Sequence, residues 1–129
     1  MPKFKYAKLV RDKIVEDQVA SGAKPNFRRL NALEHKEELL NKIIEEAKEA
    51  TKASPDELIA EIADIQQVID DLKLLCGIKD EDIVKVQEIK NNKKGTFREG
   101  LFIDYVDASE DNKWVDYYRK NPDRFPEIE

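Results

Sequence analysis

The chain has 129 residues, 40% of them hydrophobic, which fits one domain with a modest core. Charged residues make up another 40%, with 28 acids against 23 bases, and the net charge of −5 disfavours a nucleic-acid binder that works by neutralising phosphates. Cys76 stands alone, so neither an intramolecular disulfide nor a zinc-type spacing is available, and no apolar run approaches the roughly eighteen residues of a membrane span.

The opening MPKFKYAKLVRDKI is basic but too interrupted by charge for a signal-peptide core. A cytoplasmic protein with no membrane and no nucleic-acid partner is therefore expected. The flanks of Cys76, KLLCGI, read as those of a buried structural thiol. No GxxxxGK[ST] or GxGxxG loop occurs, so any nucleotide chemistry must be organised by side chains and metal.

In chain order, Leu9, Val10, Ile14 and Val19 recur at roughly helical spacing from about Tyr6 to Ala20, and Gly22 with Pro25 stops that segment. Asn31 with Glu34 three residues on is a variant capping box that opens a long helix to about Ala53. Leu33, Leu39, Leu40, Ile43, Ile44, Ala47 and Ala50 form its single apolar stripe. Ser54, Pro55 and Glu57 mark the start of a second long helix, which runs to about Cys76 with Gly77 as its left-handed terminator.

The short link between these two helices implies an antiparallel hairpin. A third helix spans about Asp80 to Lys94 and ends at Gly95. LFIDYV, Leu101 to Val106, is apolar and β-branched enough for a short strand or extended segment. Asp111 to Asn121 is a candidate last helix carrying Trp114, Tyr117 and Tyr118. The fold class expected is all-α, one domain over residues 1–129 with a core at about 6–106 and an extension at 107–129.

Four acids depart from the usual pattern. At about 100° per residue, Glu61 falls inside the apolar arc of Leu58, Ile62, Ile65, Val68, Ile69 and Leu72, and Asp64 lies about 60° further round, at its rim. On the other long helix Glu46 sits beside Leu39 and Ala50, with Glu49 and Glu45 progressively further from the stripe. In a hairpin Glu46, Glu49, Glu61 and Asp64 lie at comparable distances from the turn and can converge.

Converging carboxylates raise one another's pKa unless cations neutralise them. Oxygen ligands at this spacing suit Mg²⁺, with Mn²⁺ as a substitute. Acid pairs three residues apart also arise by chance on solvated helix faces. Encroachment on both apolar stripes is what favours metal.

With those pairs laid out, the chain resembles the all-α NTP pyrophosphatases, the MazG-like group, whose EExxE and ExxD motifs match EEAKE at Glu45 to Glu49 and EIAD at Glu61 to Asp64. KLVRDKI, Lys8 to Ile14, is similar to the opening of the stand-alone, phosphoribosyl-ATP pyrophosphohydrolase-like house-cleaning branch. That branch's K-x-x-x-R-G-G-F segment corresponds to KNNKKGTF, with Lys90 matching, Lys94 where Arg is usual, Thr96 for the second Gly, and Phe97. The match covers about Tyr6 to Val106; the tail has no counterpart.

The resemblance implies hydrolysis of nucleoside triphosphates between the α and β phosphates, giving a monophosphate and pyrophosphate. It implies Glu46, Glu49, Glu61 and Asp64 as ligands of Mg²⁺ ions, which offset triphosphate charge, polarise the attacked phosphorus and make a water more acidic. Glu45 becomes the candidate for orienting or deprotonating the attacking water. Lys90 and Lys94, one turn apart, become candidates for the leaving pyrophosphate, against a solvated basic helix end as the plainer reading.

Arg11, in the Arg11-Asp12-Lys13 cluster, is a candidate substrate contact, while structural ion pairs by Arg11 and Asp12 are slightly favoured. His35 reads as a surface residue. Trp114, Tyr117, Tyr118 and Phe97 read as packing. The family resemblance also implies a homodimer, with a tetramer as the alternative, in which hairpins from two chains complete a four-helix bundle. Two other functions compete: a phosphoribosyl-ATP pyrophosphohydrolase of histidine biosynthesis, and a non-catalytic helical interaction module.

Overall fold

The computed structural model describes all residues from Met1 to Glu129 as five helices without a strand: α1 (Ile14–Ala20), α2 (Ala32–Lys52), α3 (Pro55–Cys76), α4 (Asp80–Lys94) and α5 (Val115–Lys120). No helix is long and apolar enough to cross a membrane. The chain divides into two compact units, residues 1–90 and 91–129.

In the first unit the long helices begin and end where local chemistry dictates. The Asn31 side chain accepts from the Glu34 N–H at 2.9 Å, and the Glu34 carboxylate accepts from the Asn31 N–H at 3.4 Å, so the capping box closes in both directions. Arg28 braces the same Glu34 at 3.2 Å and holds its carboxyl below the usual range. Ser54 has the extended backbone of an N-cap but makes no side-chain cap bond, leaving Pro55 at the first helical position as the start signal.

At the far end Gly77 has φ +66, a left-handed conformation natural to glycine, and the Ile78 N–H returns to the Lys73 carbonyl at 2.9 Å. Lys73 reaches Asp70 at 3.0 Å and Asp80 at 2.7 Å, which ties the end of α3 to the start of α4.

α2 and α3 are the one pair of helices with extensive mutual packing, and Leu39 (2% exposed) and Val68 (8%) are the buried residues these two helices contribute. The apolar stripe of α2 is about 140° wide by its sequence angles. α3 covers the part carrying Leu39, Ile43 and Ala50, while Leu33, Leu40 and Ile44 on the other part stay exposed. Leu58, Ile59 and Ile62 are exposed on α3.

Several expectations change. The first helix begins at Ile14 rather than Tyr6: Ala7 turns the chain with φ +49, and residues 8 to 13 run as a non-helical strap from which Lys8 and Arg11 reach out to the hairpin. Cys76 is exposed, not buried, because it ends α3 beside Leu74, itself 82% exposed, where nothing packs over the helix. His35 is half-buried near the start of α2 and belongs to no cluster of metal-ligating groups.

The second unit holds its own small cluster. Leu101 to Val106 form no strand, since a strand needs a partner edge and the chain offers none, and Phe97, expected to pack, is fully exposed. The last helix is shorter than expected because the Asn112 side chain accepts from the Trp114 N–H at 2.9 Å and holds a turn just before Val115. Around buried Val115, Tyr117 packs edge-on to Trp114 and both Tyr117 and Tyr118 tilt against Phe125, so these aromatics do pack. Arg119 pairs with Glu110 at 2.7 Å and Glu127 at 2.9 Å, closing the tail back onto this unit and holding both carboxyls below the usual range.

Candidate metal centre

Three acids meet between α2 and α3. One carboxylate oxygen from each of Glu46, Glu61 and Asp64 lies within 4.8 Å of the other two, and all three side chains are half-buried. Their meeting follows from the angles at which the sequence sets them: Glu46 and Glu61 sit on the helix faces that form the hairpin seam, and Asp64 on its rim. Glu46 is 14% exposed and Asp64 39%, a gradient that runs from seam to solvent.

Glu61 is the odd member. Its Oε2 is shielded from solvent and has no hydrogen-bond partner. Burial, followed by the charges of Glu46 and Asp64, proton sharing with Glu46 and the more distant charge of Glu49, pushes its carboxyl above the ordinary 4.5. A buried unpaired carboxylate oxygen facing two other carboxylates is costly unless a cation satisfies all three. The donor set is hard oxygen throughout, which fits Mg²⁺ or Mn²⁺.

Glu49 does not join the three. Three residues advance a helix by 60° less than a full turn, which carries Glu49 from Glu46 away from the seam, and it is exposed. It acts on Glu61 through charge.

Glu45 lies beside the cluster under two lysines. Lys8 Nζ donates to its Oε1 at 3.2 Å and Lys42 Nζ to its Oε2 at 3.1 Å, while Lys42 also approaches Glu46 at 3.8 Å. Burial pushes the Glu45 carboxyl up, but the hydrogen bonds and charges of Lys42 and Lys8 outweigh it and hold it below the usual range. Arg11 Nη2 donates to Asp64 Oδ1 at 2.6 Å. Asp12 and Lys13 make no ion pair, so of that cluster only Arg11 reaches the hairpin.

Lys90 and Lys94 lie one turn apart on α4, both exposed and without an ion pair or side-chain hydrogen bond. Two contributors were missed by sequence reasoning. Lys42 carried a signal, since it precedes Glu45 by three residues and Glu46 by four. Lys8 carried none, because its contact with Glu45 spans 37 residues of chain. No protein-family model, no curated protein and no solved structure matches the chain.

Proposed function

We propose that the chain is a Mg²⁺-dependent nucleoside triphosphate pyrophosphohydrolase of the MazG-like kind that clears unwanted nucleotides from the pool. The supporting observation is Glu61, an acid set into the apolar seam with an unsatisfied oxygen and two carboxylates facing it. No donor within the chain reaches that Glu61 oxygen. Glu46, Glu61 and Asp64 would hold the ion, and Glu49, the fourth acid of the resemblance, would act on it through charge from the rim.

Bound Mg²⁺ would offset the triphosphate charge and make the α-phosphorus more electrophilic. In the reaction a water oxygen forms a bond to the α-phosphorus, the bond from that phosphorus to the α,β-bridging oxygen breaks, and pyrophosphate departs with the electron pair. Glu45 orients the water. Because lysines grip both of its oxygens, positioning suits it better than proton abstraction, and the released proton passes on to solvent. The resemblance gives Lys90 and Lys94 as the candidates for the leaving pyrophosphate.

A second copy of the chain completes the core. The exposed Leu33, Leu40 and Ile44 on α2, with Leu58 and Ile62 on α3, give a hairpin face that is stable only when covered. Two such hairpins face to face make a four-helix bundle. An exposed lone thiol at Cys76 suits a reducing cytosol.

A panel of canonical, oxidised and deaminated nucleoside triphosphates, with phosphoribosyl-ATP included, tests the reading through Mg²⁺-dependent pyrophosphate release. Release from the triphosphates that vanishes in Glu61→Gln supports it. Turnover of phosphoribosyl-ATP alone points to histidine biosynthesis, and no release from any member leaves an interaction module.

A further inference from the structure

The strap at residues 8–11 places one cation on each helix of the hairpin: Lys8 on Glu45 of α2 and Arg11 on Asp64 of α3. Between them Leu9 and Val10 are half-buried, so the segment is held by apolar contact as well as by charge. Both pairs lie in the open, with Arg11 61% and Asp64 39% exposed. Exposed ion pairs contribute little, because water and salt screen them. They are poor clamps. They are well suited to exchange, since little is lost when another cation takes the carboxylate.

We propose that Lys8 and Arg11 form an exchangeable counter-cation strap, neutralising the acid cluster until a divalent ion takes Asp64 and then transferring to the polyphosphate, a role that rests on the metal-dependent reading above. Arg11 and the ion compete for one carboxylate. Once displaced, the Arg11 guanidinium retains its planar fork of donors, which matches two phosphate oxygens at once. Leu9 and Val10 keep the strap in place throughout, so the two cations move by side-chain rotation. Metal loading and substrate capture are thereby coupled through Arg11, which becomes free for phosphate only when Asp64 has been taken.

The competition predicts opposite effects of one substitution on two ligands. Mn²⁺ binding to the nucleotide-free full chain is measured by titration calorimetry, and inorganic tripolyphosphate binding is measured on Mn²⁺-saturated protein. Arg11→Gln tightens Mn²⁺ by about two- to fivefold, yet weakens tripolyphosphate about tenfold. Arg11→Lys keeps the charge and loses the fork, so Mn²⁺ affinity stays at the wild-type value while tripolyphosphate still weakens. Lys8→Gln also weakens tripolyphosphate. Lys5→Gln, in the same basic segment but without an ion pair, leaves both affinities unchanged.

Unchanged or weaker Mn²⁺ binding in Arg11→Gln overturns the exchange, as does unaltered tripolyphosphate binding in that variant. A loss of Mn²⁺ affinity equal to a loss of thermal stability identifies the strap as structural support. Wild-type protein that binds no Mn²⁺ brings down the metal-dependent reading and the strap together, whereas Mn²⁺ binding with indifferent Arg11 variants brings down the strap alone.

Discussion

The two sides of the apolar stripe on α2 differ in a way that single-chain stability does not explain. On the side facing α3, Leu39 is 2% exposed and Glu46, a carboxylate, is packed beside it at 14%. On the other side Leu33 is 64% exposed and Ile44 55%. Burying an acid while leaving leucine and isoleucine in water reverses the preference of a solitary hairpin. The proposed function takes the covered acids for ligand binding and the bare hydrophobes for association.

The largest effect that would sharpen this contrast is expected at Glu61. Glu61→Gln removes the charge and keeps the shape, so pyrophosphate release falls about 10²- to 10³-fold. The same change relieves repulsion with Glu46 and Asp64, so the metal-free variant melts above the parent. A variant that loses activity and stability together would place Glu61 in ordinary packing.

On the bare side, Ile44→Asp sets a charge where a second hairpin is expected to sit. The protein then elutes as a monomer of 15.0 kDa instead of a dimer, as read by light scattering. An unaltered mass would mean that this face is not the interface.

The pH dependence follows from the same acid. Glu61 is raised above its ordinary 4.5, so the metal-free folded chain holds this proton more tightly than the unfolded chain does. Its contribution to stability is fully present below 4.5 and is lost as pH rises through the raised value. Metal binding requires the proton gone, so the melting-temperature gain from Mg²⁺ shrinks as pH falls from neutral towards that range. Melting curves with and without Mg²⁺ at several pH values measure the crossing.

Smaller changes are expected away from the seam. Glu49→Gln costs about tenfold in metal affinity, less than the same change at Glu46, because Glu49 is exposed and turned from the cluster.

What the sequence reveals, and what it hides, divides along the same lines. The bounds of α2, α3 and α4 are marked by Asn31, Pro55, Gly77 and Gly95, and the meeting of Glu46, Glu61 and Asp64 follows from helical angle and the hairpin, although the same reading also gathered Glu49, which stays outside. Such signals are local. The Arg11 contact with Asp64 spans 53 residues, so no window of spacing contains it, and the apolar pattern of residues 6–13 imitates a helix that the strap does not form. Phe97, Leu101 and Phe102 carry the hydrophobicity of packed residues, yet nothing in the chain covers them.

The most direct test is thermal melting of the wild-type protein and Glu61→Gln in the presence and absence of millimolar Mg²⁺, with no nucleotide added. If Glu46, Glu61 and Asp64 hold the ion, the wild type melts about 3–8 °C higher with Mg²⁺ at saturation and the variant does not move. An unmoved wild type, or an equal rise in both proteins, contradicts the account.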